Sequence, residues 1–294
     1  MEFFFQLILN GLMVGALYTL IAMGFVLIYK ASEVINFAQG EQVMIGGYLA
    51  LMMLSSVRLP LPLAILATMA VMALLGFVVE RGILRPLTGY PVVSVIMATI
   101  GLAAIFRGVA PLVWSAEVRG FPAILPATPI RVLGVPLAPI NLASAALALL
   151  CMAVLGYFFQ RTRYGIAMRA VSNDPKAAAA MGIDLRTILA LAWAIAGMVS
   201  ALGGVIWGRI LGVDPYLAIV GLKVFPVVIL GGLDSILGSV IGGFIMGVLE
   251  NLAAGYIDPL VGGGAKDVVP FAVMIVVLMV RPYGLFGREN IERV

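Results

Sequence analysis

The sequence predicts an all-α integral membrane protein: a polytopic helical bundle of about eight to nine transmembrane spans with a parallel internal repeat. Three observations carry that prediction. The chain of 294 residues is 63% hydrophobic and only 11% charged, and its mean hydropathy is +1.15, against about 45–50% apolar and 25% charged in soluble domains. Apolar runs of about 20 residues, the length that crosses a bilayer as a helix, recur from end to end. The ten-residue alternation of a membrane β-barrel is absent.

Taken in order, the expected spans are 6–28, 38–57, 60–80, 92–113, 140–160, 188–211, 217–232, 236–256 and 268–281. The first run has neither a basic flank nor a small-residue cleavage site, so a retained span is expected rather than a signal peptide. The seventh and ninth are short for a full crossing, which points to tilted, broken or re-entrant segments. The stretch 114–139 contains Pro122, Pro126, Pro129, Pro136 and Pro139 and is expected to lie extended against the extracytoplasmic surface. All of 1–294 is expected to form a single transmembrane domain. Val43-Met-Ile-Gly46-Gly47-Tyr aligns with Ser239-Val-Ile-Gly242-Gly243-Phe at an offset of 196, which suggests two halves running in the same direction.

Orientation follows from the basic residues. With each run crossing once and 163–187 inside, eleven Lys and Arg fall on the cytoplasmic side and four on the outer side. That bias predicts an N-terminus outside and a C-terminus in the cytoplasm. The net charge of +4 is thus explained by topology, and no nucleic-acid partner is expected. Cys151 is the one cysteine and cannot form an internal disulfide; with no histidine, imidazole catalysis and histidine metal ligation are excluded.

The segment 163–187 is a polar island among apolar runs. Within it Asp174 precedes Pro175 and four alanines, and Gly182 follows. Asp is a favoured N-cap, Pro suits the first helical position and Gly the left-handed C-cap, so a helix over 175–181 is predicted. Such a short helix is not stable alone, and its small residues suit insertion into a groove on another protein. The alternative is a connector lying on the lipid surface, although that role favours bulky Leu, Phe or Trp.

Other features have a structural and a functional reading side by side. Asn36-Phe-Ala-Gln39-Gly-Glu41-Gln42 places a carboxylate and three amides where the second span begins; Glu41 either faces an interior pathway or sits at headgroup level capping its helix. Glycines four apart (Gly11/Gly15, Gly204/Gly208, Gly238/Gly242, Gly243/Gly247) permit close helix packing, which also allows sliding between states. Leu230-Gly231-Gly232-Leu-Asp234 is a hinge candidate, with Asp234 at the water boundary. Arg107, Lys223 and Glu250 are each read as a buried pathway charge or as a group reaching the nearby outer interface, the second reading being favoured for Arg107 and Lys223. No phosphate-binding loop of the G-x-x-x-x-G-K-[ST] type, metal-ligand cluster or activated nucleophile is present in the sequence, so no enzyme is expected.

Several of these stretches resemble one family closely. Gly11-Leu-Met-Val-Gly-Ala-Leu-Tyr-Thr-Leu-Ile-Ala-Met-Gly, Ile35-Asn-Phe-Ala-Gln-Gly-Glu, Glu80-Arg-Gly-Ile-Leu-Arg-Pro-Leu, Ser172-Asn-Asp-Pro-Lys-Ala-Ala-Ala-Ala-Met-Gly-Ile, Leu230-Gly-Gly-Leu-Asp-Ser-Ile-Leu-Gly and Lys266-Asp-Val-Val-Pro-Phe make the chain similar to the permease subunits of ATP-binding-cassette importers for branched-chain amino acids, the LivH type. The resemblance runs almost end to end. It implies a bacterial inner-membrane protein that pairs with a homologous second permease of the LivM type, two cytoplasmic ATPase subunits and a periplasmic solute-binding protein. ATP and Mg would be bound by the ATPases and no cofactor by this chain. The polar island would then be the coupling loop, with Asn173, Asp174, Pro175, Ala177, Ala178, Met181 and Gly182 meeting the ATPase. Asn36, Gln39, Glu41, Gly46, Gly47, Gly231, Gly232, Gly242 and Gly243 would line or hinge the pathway. The family often carries histidine where this chain has Gln39, so no imidazole role transfers; an amide still donates and accepts hydrogen bonds. Related amide and urea permeases share much of the pattern, and a stand-alone secondary carrier is the rival from another class.

Overall fold

A computed structural model describes residues 2–122, 128–132 and 135–287. Pro126, Arg288 and Arg293, all used in the sequence reading, lie outside the described residues. Twelve α-helices form along the described chain: α1 Glu2–Ser32, α2 Gln39–Ser55, α3 Leu61–Val79, α4 Val92–Trp114, α5 Pro139–Arg161, α6 Arg163–Asn173, α7 Pro175–Ala180, α8 Leu185–Leu211, α9 Ile219–Gly231, α10 Ile236–Leu252, α11 Asp258–Val261 and α12 Ala265–Val280. Every expected span is helical. Among the described residues six stretches are long and apolar enough to cross a membrane: Glu2–Ser32, Leu61–Leu87, Val92–Trp114, Pro139–Arg161, Leu185–Leu211 and Ile236–Val261. The other three, α2, α9 and α12, have 17, 13 and 16 residues. Part of the extended segment forms an antiparallel pair, β1 Ile130–Val132 with β2 Val135–Leu137, in the register Ile130 to Leu137.

The described residues fall into two compact units. One draws on Met1–Val26, Ala123–Met152 and Lys223–Val294, the other on Leu27–Pro122 and Ala153–Leu222. In the second unit α8 is the central helix, packed on α2 and α3. Glycine makes that packing possible. A Cβ on Gly46 would sit 2.8 Å from Ala201 Cα, and one on Gly204 would strike the backbone of Val43, Gly46 and Gly47. Gly76 lies against the Trp193 carbonyl and Gly197 against that of Met72 in the same way. Backbones in direct contact are how apolar helices gain dispersion energy when lipid competes for every side chain. Ile28, Ala38, Val79, Leu102, Ala103, Trp193 and Ala196 form the buried cluster beneath, while α3 and α4 turn Leu66, Leu74, Ile105 and Leu112 outward.

Two features of this unit position its polar groups. The segment after α1 begins at Glu33 with a left-handed backbone, φ 55°, and leads to α2, whose first residue Gln39 meets Ser200, the sixteenth of the 27 residues of α8. At 1.5 Å per residue that is about 22 Å along α8; α2 therefore starts beside the middle of that helix and not at its end. The start of α9 is at the same level: Gly40 and Gly221 touch, leaving no room for a side chain on either. The second feature is a π turn, Glu80–Leu84, continuing α3.

In the other unit α1 and α10 cross through glycines. A Cβ on Gly15 would lie 2.7 Å from the Gly243 carbonyl, and one on Gly11 would lie 2.6 Å from Val248 Cα. Gly231, at the end of α9, abuts Gly238 of α10, and Gly232 takes φ 102° in the turn between them. The segment after α12 returns to this turn, where Leu285 N–H donates to the Leu230 carbonyl at 2.8 Å and Phe286 N–H to that of Gly231 at 3.2 Å.

Candidate functional site

The first candidate is the polar start of α2. Asn36 Nδ2 donates to Gln39 Oε1 at 3.1 Å and to Gln42 Oε1 at 3.4 Å, and its Oδ1 accepts from Ala38 N–H at 3.0 Å. Gln39 Nε2 donates to Ser200 Oγ at 2.9 Å. All these side chains are buried. Gln42 Nε2 is buried with no hydrogen-bond partner among the described residues, a costly state for an amide. Ala38, the N-cap of α2, offers no side-chain acceptor to the first N–H groups of the helix, so a positive helix end lies beside that orphaned donor.

Glu41 belongs to this cluster. Its carboxylate is 4% exposed and ion-paired with Arg107, whose side chain is 61% exposed on α4. Of the two readings left open for Glu41, its burial favours an interior position over a cap at headgroup level, and Arg107 turns to Glu41. The physical reason is that a buried carboxylate needs a partner more than an exposed guanidinium needs water. Gly46 and Gly47 lie on the same helix, one to two turns further on, against α8. The structure thus gathers Asn36, Gln39, Glu41, Gly46 and Gly47 in one unit; Gly231, Gly232, Gly242 and Gly243 belong to the other, where they form the α9–α10 turn and the crossing with α1.

The second candidate is the helix pair α6–α7. Thr162 caps α6 by accepting from Gly165 N–H at 3.1 Å. Asp174 Oδ1 accepts from Lys176 and Ala177 N–H, both at 2.9 Å, and starts α7. The helix stops at Gly182, φ 83°, with Gly182 N–H donating to Ala179 and Ile183 N–H to Ala178. Asp184 then caps α8. A 2.6 Å hydrogen bond from the Thr187 hydroxyl and another from Arg186 N–H hold its carboxyl below the ordinary value. Asn173, Asp174, Pro175, Ala177 and Gly182 are exposed and Met181 is 84% exposed. Ala178 is the exception: it is 4% exposed and faces inward, so a contact set built on the open face of α7 does not include it.

The sequence reading missed a third polar group. Lys223 Nζ bonds Glu250 at 2.9 Å and Asp267 at 2.6 Å, and Tyr18 OH donates to Glu250 at 2.6 Å. Lys223 and Glu250 are therefore partners across α9 and α10 and do not snorkel separately. The signal available was their opposite charge at similar distances from the span ends.

Comparison with known proteins decides what these features belong to. The family described as branched-chain amino acid transport system / permease component matches residues 7–278. The chain belongs to this permease family. The permease is 33% identical to the high-affinity branched-chain amino acid transport system permease protein BraD of Pseudomonas aeruginosa, over 99% of this chain and 98% of that protein. It is 30% identical to LivH of Salmonella typhimurium over the same shares. A probable branched-chain amino acid transport permease protein, LivH of Methanocaldococcus jannaschii, is 28% identical over 96% and 92%. As a member of this family the permease is a multi-pass helical membrane protein and a subunit of a transporter.

Proposed function

We propose that this permease is the membrane-spanning subunit of an ATP-binding-cassette importer for branched-chain amino acids, working by alternating access. It pairs with a homologous permease of the LivM type, two cytoplasmic ATPase subunits that bind and hydrolyse ATP with Mg, and a periplasmic solute-binding protein. Its N-terminus is outside, its C-terminus in the cytoplasm, and the membrane is the bacterial inner membrane. The relatives named above support the substrate class.

The observation that carries the reading is α7. Its backbone ends are satisfied internally by Asp174 and by the Gly182 turn, yet it offers an open face of Ala177, Lys176 and Met181. A short helix stiffened at both ends transmits a push without unravelling. Closure of the ATPases on ATP moves this helix, and α8, capped four residues after it by Asp184, carries the motion to α2 and α3.

The pathway follows the face of α4 that bears Arg107. An exposed guanidinium within an apolar span is expensive against lipid, so this face meets protein or water. A guanidinium recognises a carboxylate with two parallel N–H donors, and Glu41 supplies the opposite charge for an ammonium group. Together with Gln42 Nε2 the pair passes a zwitterion along without holding it tightly. Charges within the spans also favour a second reading, a lone carrier coupled to ions. One experiment separates the two. Vesicles carrying the complete transporter should take up radiolabelled leucine only with ATP, with valine competing and urea and amides not competing. Ala177→Glu on the open face of α7 should lower uptake at least tenfold while the permease pair still assembles. Uptake indifferent to ATP and to this substitution would overturn the importer reading in favour of the carrier.

A further inference from the structure

We propose that the permease has a second amino-acid site, an inhibitory one for the imported product, in a cavity beside the start of α7. The proposal rests on the amino-acid reading above. The cavity has a volume of about 250 Å³, slightly below the usual range for drug-sized ligands and suited to a single amino acid. Its walls are apolar: Val34, Leu84, Val95, Leu189 and Trp193. Lys30, Glu33, Glu80 and Arg85 bring both signs of charge to it. Aliphatic walls with paired charges match an aliphatic side chain on a zwitterionic head.

The charged groups are arranged for capture. Glu80 is buried and accepts from Arg85 Nε at 3.2 Å and Nη2 at 2.9 Å. These residues are five apart, and the π turn over Glu80–Leu84 brings that spacing into register; this gives the Glu80-Arg-Gly-Ile-Leu-Arg-Pro-Leu motif a physical purpose. Glu80 occupies two of the five guanidinium N–H donors, and the others are open to a ligand carboxylate. Glu33 is exposed, and its carboxylate has no ion-pair partner among the described residues. It is held at the cavity by the left-handed turn that ends α1, where it can receive an ammonium group.

The cavity also touches Val171 of α6, Pro175 of α7 and Leu185 of α8. A ligand wedged there binds the present arrangement of the coupling elements and opposes any state that closes the space, a linkage between product and transport. The site opens toward the side the proposed topology assigns to the cytoplasm, where imported amino acid accumulates.

The test uses vesicles carrying the complete transporter and enclosing ATP, with the binding protein outside and the lumen preloaded with leucine or glutamate. Preloaded leucine should lower the initial rate of labelled leucine uptake at least fivefold, and glutamate should not. Val95→Phe and Leu189→Phe fill the cavity and should raise the leucine concentration for half-inhibition tenfold or more. Inhibition that is absent, equal with glutamate, or unchanged in both filled variants overturns the site. If the variants do not assemble, equilibrium dialysis of labelled leucine against the wild-type transporter without binding protein decides. Saturable binding displaced by valine supports the site, and its absence overturns it. Uptake into unloaded vesicles is a separate readout, so failure of the importer reading is distinguishable from failure of the inhibitory site.

Discussion

Removing Arg107 should destabilise the permease more than neutralising Glu41, although the two residues share one ion pair. The asymmetry follows from where each partner sits: the Glu41 side chain is 4% exposed and that of Arg107 is 61% exposed. Breaking a fully buried pair from one side costs about 3–5 kcal/mol because a bare charge is left inside. Arg107 lies half in the open, and screening brings the expected loss for Arg107→Ala down to about 2–3 kcal/mol. Glu41→Gln leaves a neutral amide that still accepts from the guanidinium, while the abandoned cation can be solvated; about 1 kcal/mol is expected. In Glu41→Gln/Arg107→Ala no charge remains to be desolvated, so the double variant should be no less stable than Arg107→Ala alone.

The assay is thermal unfolding of the purified permease in lipid nanodiscs. At roughly 2–4 °C per kcal/mol, Arg107→Ala should lower the midpoint by about 4–12 °C and Glu41→Gln by about 2–4 °C. The double variant should fall at or above the Arg107→Ala midpoint. Equal shifts for the two single variants, or strictly additive shifts in the double, would show that Glu41 does not depend on Arg107, and the pathway reading built on the pair would go with it.

Glycine packing gives a paired prediction. Gly204→Ala drives a methyl into the backbone of α2 and should cost about 3 kcal/mol or more through overpacking, whereas Gly101→Ala on α4 meets nothing within 4 Å and should stabilise by about 0.5–1 kcal/mol; midpoints in nanodiscs check both. Tyr18→Phe removes the donor held 2.6 Å from Glu250 and should cost about 1.5–3 kcal/mol, the range for a hydrogen bond to a charged group, again read from the midpoint. The cap on α8 predicts a pH effect with a definite sign. The Thr187 hydroxyl and the Arg186 N–H depress the Asp184 carboxyl, so its ionised form favours the folded helix end. That stabilisation is full above the unfolded value of about 3.9 and is lost as pH falls through the lower folded value. Amide exchange at Arg186 and Thr187, corrected for intrinsic rate, should accelerate over that acid range in the wild type and show no such step in Asp184→Asn.

The long helices were legible in the sequence because apolar length is a one-dimensional property. Runs at 60–80, 92–113, 140–160 and 236–256 reappear as α3, α4, α5 and α10 with shifts of only a few residues. The cap at Asp174-Pro175 and the stop at Gly182 were legible for a related reason: capping depends on neighbours within four positions. Orientation around a short helix was not. Ala177 and Ala178 are chemically identical, and only the packing of α7 on α6 and α8 sends one outward and the other in. The start of α2 beside the middle of α8 was equally hidden, since a hydropathy window reports how apolar a stretch is and not the level at which it begins.

Charges failed for a deeper reason. Each ionisable residue in an apolar run was weighed alone, and a lone ion at depth is best explained by escape to water. That argument holds for any single residue and fails for the set. The expected spans carried three acids, Glu41, Glu80 and Glu250, with Arg107, Lys223 and Arg281 among their bases, and the structure joins Glu41 to Arg107 and Glu250 to Lys223. Arg209 is a further base in these spans and donates to the Pro122 carbonyl, with no acid needed. A near-zero sum over the runs is what pairing requires, and it was visible without coordinates. What could not be read was which acid meets which base: Glu41 and Arg107 are 66 residues apart, and their meeting depends on α2 starting beside the middle of α8.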